Sequence, residues 1–293
     1  LAALGLPPNH LSTPEAVRAT RVPGPRGPEV HRVEDVDIAG PQGPVPVRIY
    51  WPSAETNLPV LVWYHGGGWV VGTLDLADST ARRLCSLGEC IVISVDYRLA
   101  PEHKYPAGRD DAYAAVVWAY QNAKRFGADA ARIAVGGDSA GGTLATVVAQ
   151  MIRDRAGIPL RFQLLVYPVC DAAMDTASFR ENTTYGLTPE SMGWYWDHYL
   201  EAGADRTDPY VSPLRSKDLA NLPPAYVVTA ECDPLRDEGN AYAEALRAAG
   251  VPVEHECFAG QIHGFFVNAH YFPEGQRATE VAAGLLRRAF ATE

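Results

Sequence analysis

Eight short apolar runs, at residues 33–38, 45–51, 60–64, 90–95, 132–136, 162–167, 225–229 and 253–258, punctuate the chain, and from the third onward they alternate with segments of helical spacing. Runs that are apolar throughout, rather than at every second position, belong to strands buried on both faces. Strand and helix in alternation then dictate a mostly parallel eight-stranded sheet, an α/β fold with helices packed on both sides. The first two runs differ. They flank Gly40-Pro41-Gln42-Gly43-Pro44, a turn-forming stretch, and read as an antiparallel pair that opens the sheet. A chain of 293 residues, 47% of them hydrophobic, is long enough to bury one large core of this kind.

Two glycine-rich stretches fall at strand ends. Gly137-Asp138-Ser139-Ala140-Gly141 follows the run at 132–136 and leads into a helical segment. A serine on a sharp strand-to-helix turn has its hydroxyl pushed outward beside unpaired helix amides, and glycines such as Gly137 and Gly141 allow the tight approach. Taken alone, G-x-S-x-G equally fits a glycine-rich turn whose serine caps a helix. His65-Gly66-Gly67-Gly68, directly after the run at 60–64, tips the balance. Acyl transfer needs amide donors aimed at an oxygen that becomes negative, and three successive glycines let bare backbone come that close. A dinucleotide-binding loop fails on spacing, because Val71 stands where G-x-G-x-x-G requires glycine and no G-K-[ST] occurs.

A serine nucleophile needs a base, and the base needs an orienting acid. Among the histidines after Ser139, His198 lies in an aromatic helical segment, His255 inside a strand run and His270 near the last helix. His263 follows the last strand, in Gly260-Gln261-Ile262-His263-Gly264, where a side chain projects from the sheet's carboxyl edge. Asp233 follows the preceding strand in the same way. Asp237 and Glu238 compete with it but fall in the first turn of a helix, a common place for carboxylates. Asp138, beside the serine, reads as a brace for the turn.

The formal charge of −10 and pI near 5.3 argue against nucleic acid or an anionic membrane as partner, and leave small neutral substrates. Five cysteines, Cys85, Cys90, Cys170, Cys232 and Cys257, show no C-x-x-C, so neither a disulfide framework nor a metal site is indicated. No apolar run is long enough to anchor the chain in a membrane, and no signal peptide is recognisable. A cytoplasmic location with free thiols is expected; export stays open because the first residue is Leu1 rather than methionine. Two regions break the alternation of strand and helix. Residues 1–44 are rich in proline and glycine, with one helix start at Ser12-Thr13-Pro14-Glu15; residues 172–213 carry a helix signal at Thr188-Pro189-Glu190 and the aromatic stretch Trp194-Tyr195-Trp196. They read as an N-terminal arm and an inserted cap over a catalytic domain made of residues 45–171 and 214–293.

These motifs, with Asp96-Tyr97-Arg98-Leu99-Ala100-Pro101-Glu102, Asp233-Pro234-Leu235-Arg236-Asp237-Glu238-Gly239 and Ile262-His263-Gly264-Phe265, resemble the hormone-sensitive-lipase-like (bacterial family IV) esterases of the α/β-hydrolase superfamily. The resemblance spans the chain from Tyr50 to its end. It implies an α/β-hydrolase fold with a helical cap, often dimeric, acting on short-to-medium acyl esters without a cofactor. It also implies Ser139 as nucleophile, His263 as base, Asp233 as acid, and the amides of Gly67, Gly68 and Ala140 as the oxyanion hole. An amidase or deacetylase would use the same machinery, whereas a non-catalytic receptor on this fold would typically lack the histidine. Two positions depart from the family pattern: Gln261 stands where methionine is usual and Thr143 where asparagine is common.

Overall fold

The computed structural model describes residues 8–155 and 157–291. Its centre is an eight-stranded sheet in the order β1-β2-β4-β3-β5-β6-β7-β8. The strands are β1 (Arg32–Gly40), β2 (Gly43–Trp51), β3 (Leu58–Tyr64), β4 (Ile91–Val95), β5 (Ala128–Asp138), β6 (Leu160–Val166), β7 (Ala225–Cys232) and β8 (Val253–Ile262). β1 and β2 form an antiparallel hairpin and β2 pairs antiparallel with β4, while the remaining neighbours are parallel. The sheet takes in Arg32–Gly40, so the described part of the N-terminal region outside it is 8–31.

The two-residue period of a strand decides which side chains meet which helices. Val60, Val62 and Tyr64 of β3 point to one face, with Ile91 and Ile93 of β4 and Ile133 and Val135 of β5. That face is covered by α3 (Ala107–Asn122), α4 (Ala140–Arg155) and α7 (Arg236–Ala248). Leu61, Trp63 and Val92 point the other way, onto α2 (Leu74–Gly88) and α8 (Pro273–Ala291). Every residue of β3 and β4 is buried, as continuous apolar runs require.

Strand order also locates the crevice. The chain runs from β3 outward to β4, then crosses back to place β5 on the other side of β3, so the winding direction reverses between β3 and β5. Loops leaving the carboxyl ends of strands at such a reversal diverge and open a crevice between them. Those two loops carry His65–Gly68 and Ser139.

The remaining elements lie above this edge. α1 (Pro14–Ala19) starts with the Thr13 hydroxyl accepting from the Ala16 amide. Between β6 and β7 come α5 (Ala177–Glu181) and α6 (Pro189–Tyr199), the latter capped by Thr188. Two strands run further than their apolar cores. β5 begins at Ala128, and β8 continues through Gly260 and Gln261 because pairing with β7 resumes at Cys232 and Ile262 after an irregularity.

Candidate active site

Ser139 follows β5 directly, and its backbone sits at φ +56, a left-handed conformation that non-glycine residues rarely adopt. The strain persists because both sides are held. The Ser139 amide donates to the Val166 carbonyl of β6 at 2.9 Å, and the Thr143 amide of α4 donates back to the Ser139 carbonyl at 3.1 Å. A Cβ at Gly141 would come within 2.0 Å of the Tyr64 carbonyl oxygen, so the helix can approach β3 this closely only with glycine there. Thr143, one of the departures from the family pattern, donates its hydroxyl to the Val169 carbonyl at 2.6 Å and ties α4 to the loop after β6.

His263 is the first residue after β8 and Asp233 the first after β7, so adjacent strands deliver them side by side. His263 Nδ1 lies 2.7 Å from Asp233 Oδ2, and Nε2 lies 3.0 Å from Ser139 Oγ. A carboxylate only accepts, which fixes the ring proton on Nδ1 and leaves the Nε2 lone pair facing the serine hydroxyl. Asp233 is fully buried, and its Oδ1 accepts from the Leu235 amide at 2.9 Å. The imidazole packs against the Tyr167 ring, with centroids 4.6 Å apart.

The competing acids are engaged elsewhere. Asp237 accepts from the Ser178 amide at 2.8 Å and joins α5 to α7. Glu238 is buried and accepts from the Cys170 amide at 2.7 Å, and burial pushes its carboxyl well above the usual range. Of the other histidines, His198 bonds the Trp194 carbonyl within α6, His255 bonds Thr229, and His270 lines the cavity without a bond to Ser139 or Asp233.

Gly67 and Gly68 occupy the loop after β3 with φ +115 and +59. A Cβ at Gly67 would meet the Val71 carbonyl oxygen at 2.1 Å, and one at Gly68 would meet the Tyr195 ring of α6 at 2.2 Å. Ala140 is the first residue of α4, where an amide has no acceptor within the helix. Both glycines border the same cavity as Ser139 and His263. Asp138 takes the Gly66 amide on Oδ1 at 3.0 Å, joining the two loops across the crevice. Burial raises its carboxyl to about 6. His65 borders the cavity while nearly buried: its Nδ1 donates to its neighbour's carbonyl, Gly66 O, at 2.7 Å, and burial lowers its pKa to about 4.

The cavity holds about 960 Å³ and is roofed by both interruptions of the α/β pattern. Asn9, His10 and Arg21 come from the N-terminal region, and Leu187, Met192 and Tyr195 from the insertion. Asn9 donates to the Tyr195 hydroxyl at 2.9 Å, linking the two. Of the aromatic stretch, only Tyr195 faces the cavity. Trp196 and Tyr199 pack on Trp69, whose centroid lies 4.6 and 4.3 Å from theirs, and Trp194 packs against His198 with centroids 4.3 Å apart. The contribution of Asn9 left no trace in the sequence, since a lone polar residue in a proline-rich stretch carries no motif. Among the described residues no group of three or more His, Cys, Asp or Glu side chains could hold a metal ion, and no helix is long and apolar enough to cross a membrane. All five cysteines are free.

Comparison with known proteins identifies the family. Residues 61–267 match the family described by the alpha/beta hydrolase fold. The carboxylesterase NlhH of Mycobacterium tuberculosis is 46% identical over 255 residues, which are 84% of this chain and 78% of that protein. A solved structure of an alpha/beta hydrolase enzyme from the metagenome of Lake Arreo superimposes with a TM-score of 0.93 at 41% identity, covering 99% of this chain and 94% of the other. The esterase of Pyrobaculum calidifontis superimposes with a TM-score of 0.87 at 43% identity, covering 90% and 88%. On these matches and the motifs that carry them, the chain belongs to the alpha/beta hydrolase fold family, in its hormone-sensitive-lipase-like branch.

Proposed function

We propose that this protein is a serine carboxylic ester hydrolase in which Ser139, His263 and Asp233 form the catalytic triad. The observation that carries the reading is the unbroken hydrogen-bonded line from Asp233 through His263 to a serine held at positive φ. Ser139 Oγ attacks the ester carbonyl as its proton passes to His263 Nε2, and Asp233 stabilises the imidazolium that results. The carbonyl oxygen, now negative, lies in the amides of Gly67, Gly68 and Ala140. His263 then protonates the departing alcohol, which leaves an acyl-serine. Water attacks that acyl group, giving its proton to His263, and the acid is released as the proton returns to Ser139.

The N-terminal region and residues 172–213 serve as a cap that defines the substrate space. A cavity of this size with the apolar side chains of Leu187 and Met192 in its wall suits a small-molecule ester with a short-to-medium acyl chain. The names carried by the relatives support ester rather than amide chemistry.

The test is a series of p-nitrophenyl esters from acetyl to decanoyl, run with wild type and Ser139→Ala. The expected result is a rate maximum at short or medium acyl length, labelling of Ser139 by a fluorophosphonate, and loss of both in Ser139→Ala. Wild-type rates in that variant would overturn the assignment.

A further inference from the structure

The segment Asp96–Glu102 carries part of the family resemblance but supplies nothing to the proposed triad. Its surroundings give it a role through a residue of the N-terminal region. Arg18 reaches from α1 to three partners at once. Its Nε donates to the Val70 carbonyl at 2.8 Å, Nη2 donates to the Ala100 carbonyl at 2.8 Å, and Nη1 and Nη2 form a fork on Glu102 at 2.7 and 2.8 Å. Val70 closes the glycine loop: the Val70 and Val71 amides donate to the Gly67 carbonyl at 3.1 and 3.0 Å. The Ala100 amide donates to the Trp69 carbonyl at 2.8 Å, and the Tyr97 hydroxyl donates to the His65 carbonyl at 2.8 Å.

The glycine loop has no side chains of its own between Gly66 and Gly68, so its position is imposed from outside. Asp138 holds its start, at the Gly66 amide. Its far end is held by Ala100 at Trp69 and by Arg18 at Val70. A planar guanidinium can satisfy a carboxylate and two carbonyls together, whereas a lysine ammonium is a point charge on a flexible stem. We propose that Arg18 is a positioning residue for ester hydrolysis, fixing the end of the glycine loop so that the Gly67 and Gly68 amides meet the oxyanion, with Glu102 as its anchor. This rests on the ester-hydrolase reading above.

Arg18 lies apart from what keeps the loop folded. Trp69 is buried in the stack with Trp196 and Tyr199, which holds the loop in the core without help from Arg18. The Arg18–Glu102 pair is partly exposed, with side-chain exposures of 29% and 47%. Replacing Arg18 is therefore expected to shift the amides while leaving the fold intact. A residue acting only as part of a substrate cover would behave differently, changing KM in a way that depends on acyl length.

The experiment compares wild type, Arg18→Met, Arg18→Lys and Glu102→Gln on p-nitrophenyl acetate, butyrate and octanoate. Circular dichroism and thermal melting verify folding. The expected result for Arg18→Met is a fall in kcat of about tenfold, equal across the three esters, with KM within about twofold of wild type; this is less than the roughly hundredfold loss from removing an oxyanion donor outright. Arg18→Lys and Glu102→Gln should fall in between. A trifluoromethyl ketone, which forms an oxyanion on the serine, should lose affinity by the same factor as kcat. Unchanged kcat and ketone affinity in Arg18→Met, or in Glu102→Gln if the arginine variant does not fold, overturns the proposal. So does a loss that appears only as a chain-length-dependent KM. Failure of the wild type to hydrolyse any ester would instead remove the ester-hydrolase reading, and this inference with it.

Discussion

The floor and the roof of the cavity are built by opposite rules. Its floor consists of residues at the ends of β3, β5, β7 and β8, set by backbone pairing within the sheet and by glycines that nothing larger can replace. Its roof consists of short helices and irregular chain joined by a few side-chain contacts, such as Asn9 to Tyr195 at 2.9 Å and Lys104 Nζ to the Leu200 carbonyl at 2.7 Å. Large apolar side chains also reach solvent in the roof, with Val22 79% and Tyr185 71% exposed at its edge. A reaction centre tolerates displacements of only a fraction of an ångström, which a packed sheet can guarantee. A substrate cover needs only to admit and exclude. Changes to the floor should therefore act on turnover by orders of magnitude, changes at Arg18, which reaches from α1 to the glycine loop, on turnover by about tenfold, and changes elsewhere in the roof on selectivity by small factors.

The largest effect is expected at the proposed triad. Ser139→Ala and His263→Ala should each lower kcat by up to about a millionfold, and Asp233→Asn by about ten-thousandfold, because the last leaves the geometry but favours the wrong tautomer. Hydrolysis of p-nitrophenyl acetate with intact circular dichroism measures all three. A comparable loss from a roof substitution would break the contrast between the two regions. Next comes Gly67→Ala. The added methyl would face the Val71 carbonyl oxygen at 2.1 Å from a residue at φ +115, and neither backbone can yield without moving the loop. The expected loss in kcat is about 10² to 10³, the scale of one missing oxyanion donor.

The same division explains what could be read from the sequence. Ser139, Asp233 and His263 were legible because each is the outcome of local rules: a strand ends, the chain leaves the sheet's carboxyl edge, and strand order brings the ends together. The glycines were legible through the spacing of bare backbone. Contacts between distant segments were not. Nothing near Gly66 indicates that its amide will meet Asp138, and nothing near Glu102 indicates that it will meet Arg18. The far end of β8 escaped notice for a different reason. Gly260 and Gln261 lack apolar character, and their place in the strand depends on pairing that resumes only at Cys232 and Ile262. Tyr195 was visible as part of an aromatic helix, but only the packing of Trp196 and Tyr199 on Trp69 decides which ring turns to the cavity.

A smaller effect is expected in the roof. Asn9→Ala removes the hydrogen bond to Tyr195, a contact worth about 1 kcal/mol net. With that bond gone, Tyr195 keeps its packing on Gly68 but is less firmly held in the cavity wall. KM for octanoate should change by about threefold to fivefold while kcat for acetate stays within about twofold. A drop in acetate kcat as large as that of Gly67→Ala would show that the roof also fixes the reacting atoms, and the contrast would need redrawing.

The finest distinction lies within the floor, in two buried titratable groups that flank the Gly66 peptide and shift in opposite senses. Burial lowers His65 from 6.5 to about 4, so between those values the unfolded chain binds the extra proton and stability falls as pH falls. Burial raises Asp138 from 3.8 to about 6, so in that window the folded chain binds the extra proton and stability rises as pH falls. At 1.36 kcal/mol per pH unit each shift amounts to about 3 kcal/mol, and the two largely cancel between about pH 4 and 6. Single substitutions should uncover them. Relative to wild type, Asp138→Asn should lose stability as pH falls from 6 to 4, because the His65 term then stands alone; His65→Gln should gain stability over the same interval. Urea unfolding at pH 7, 6, 5 and 4 gives the two difference curves, and curves parallel to wild type would mean that neither group titrates differently in the folded state. Diverging curves would place opposed electrostatic terms at the junction of the glycine loop and the serine turn.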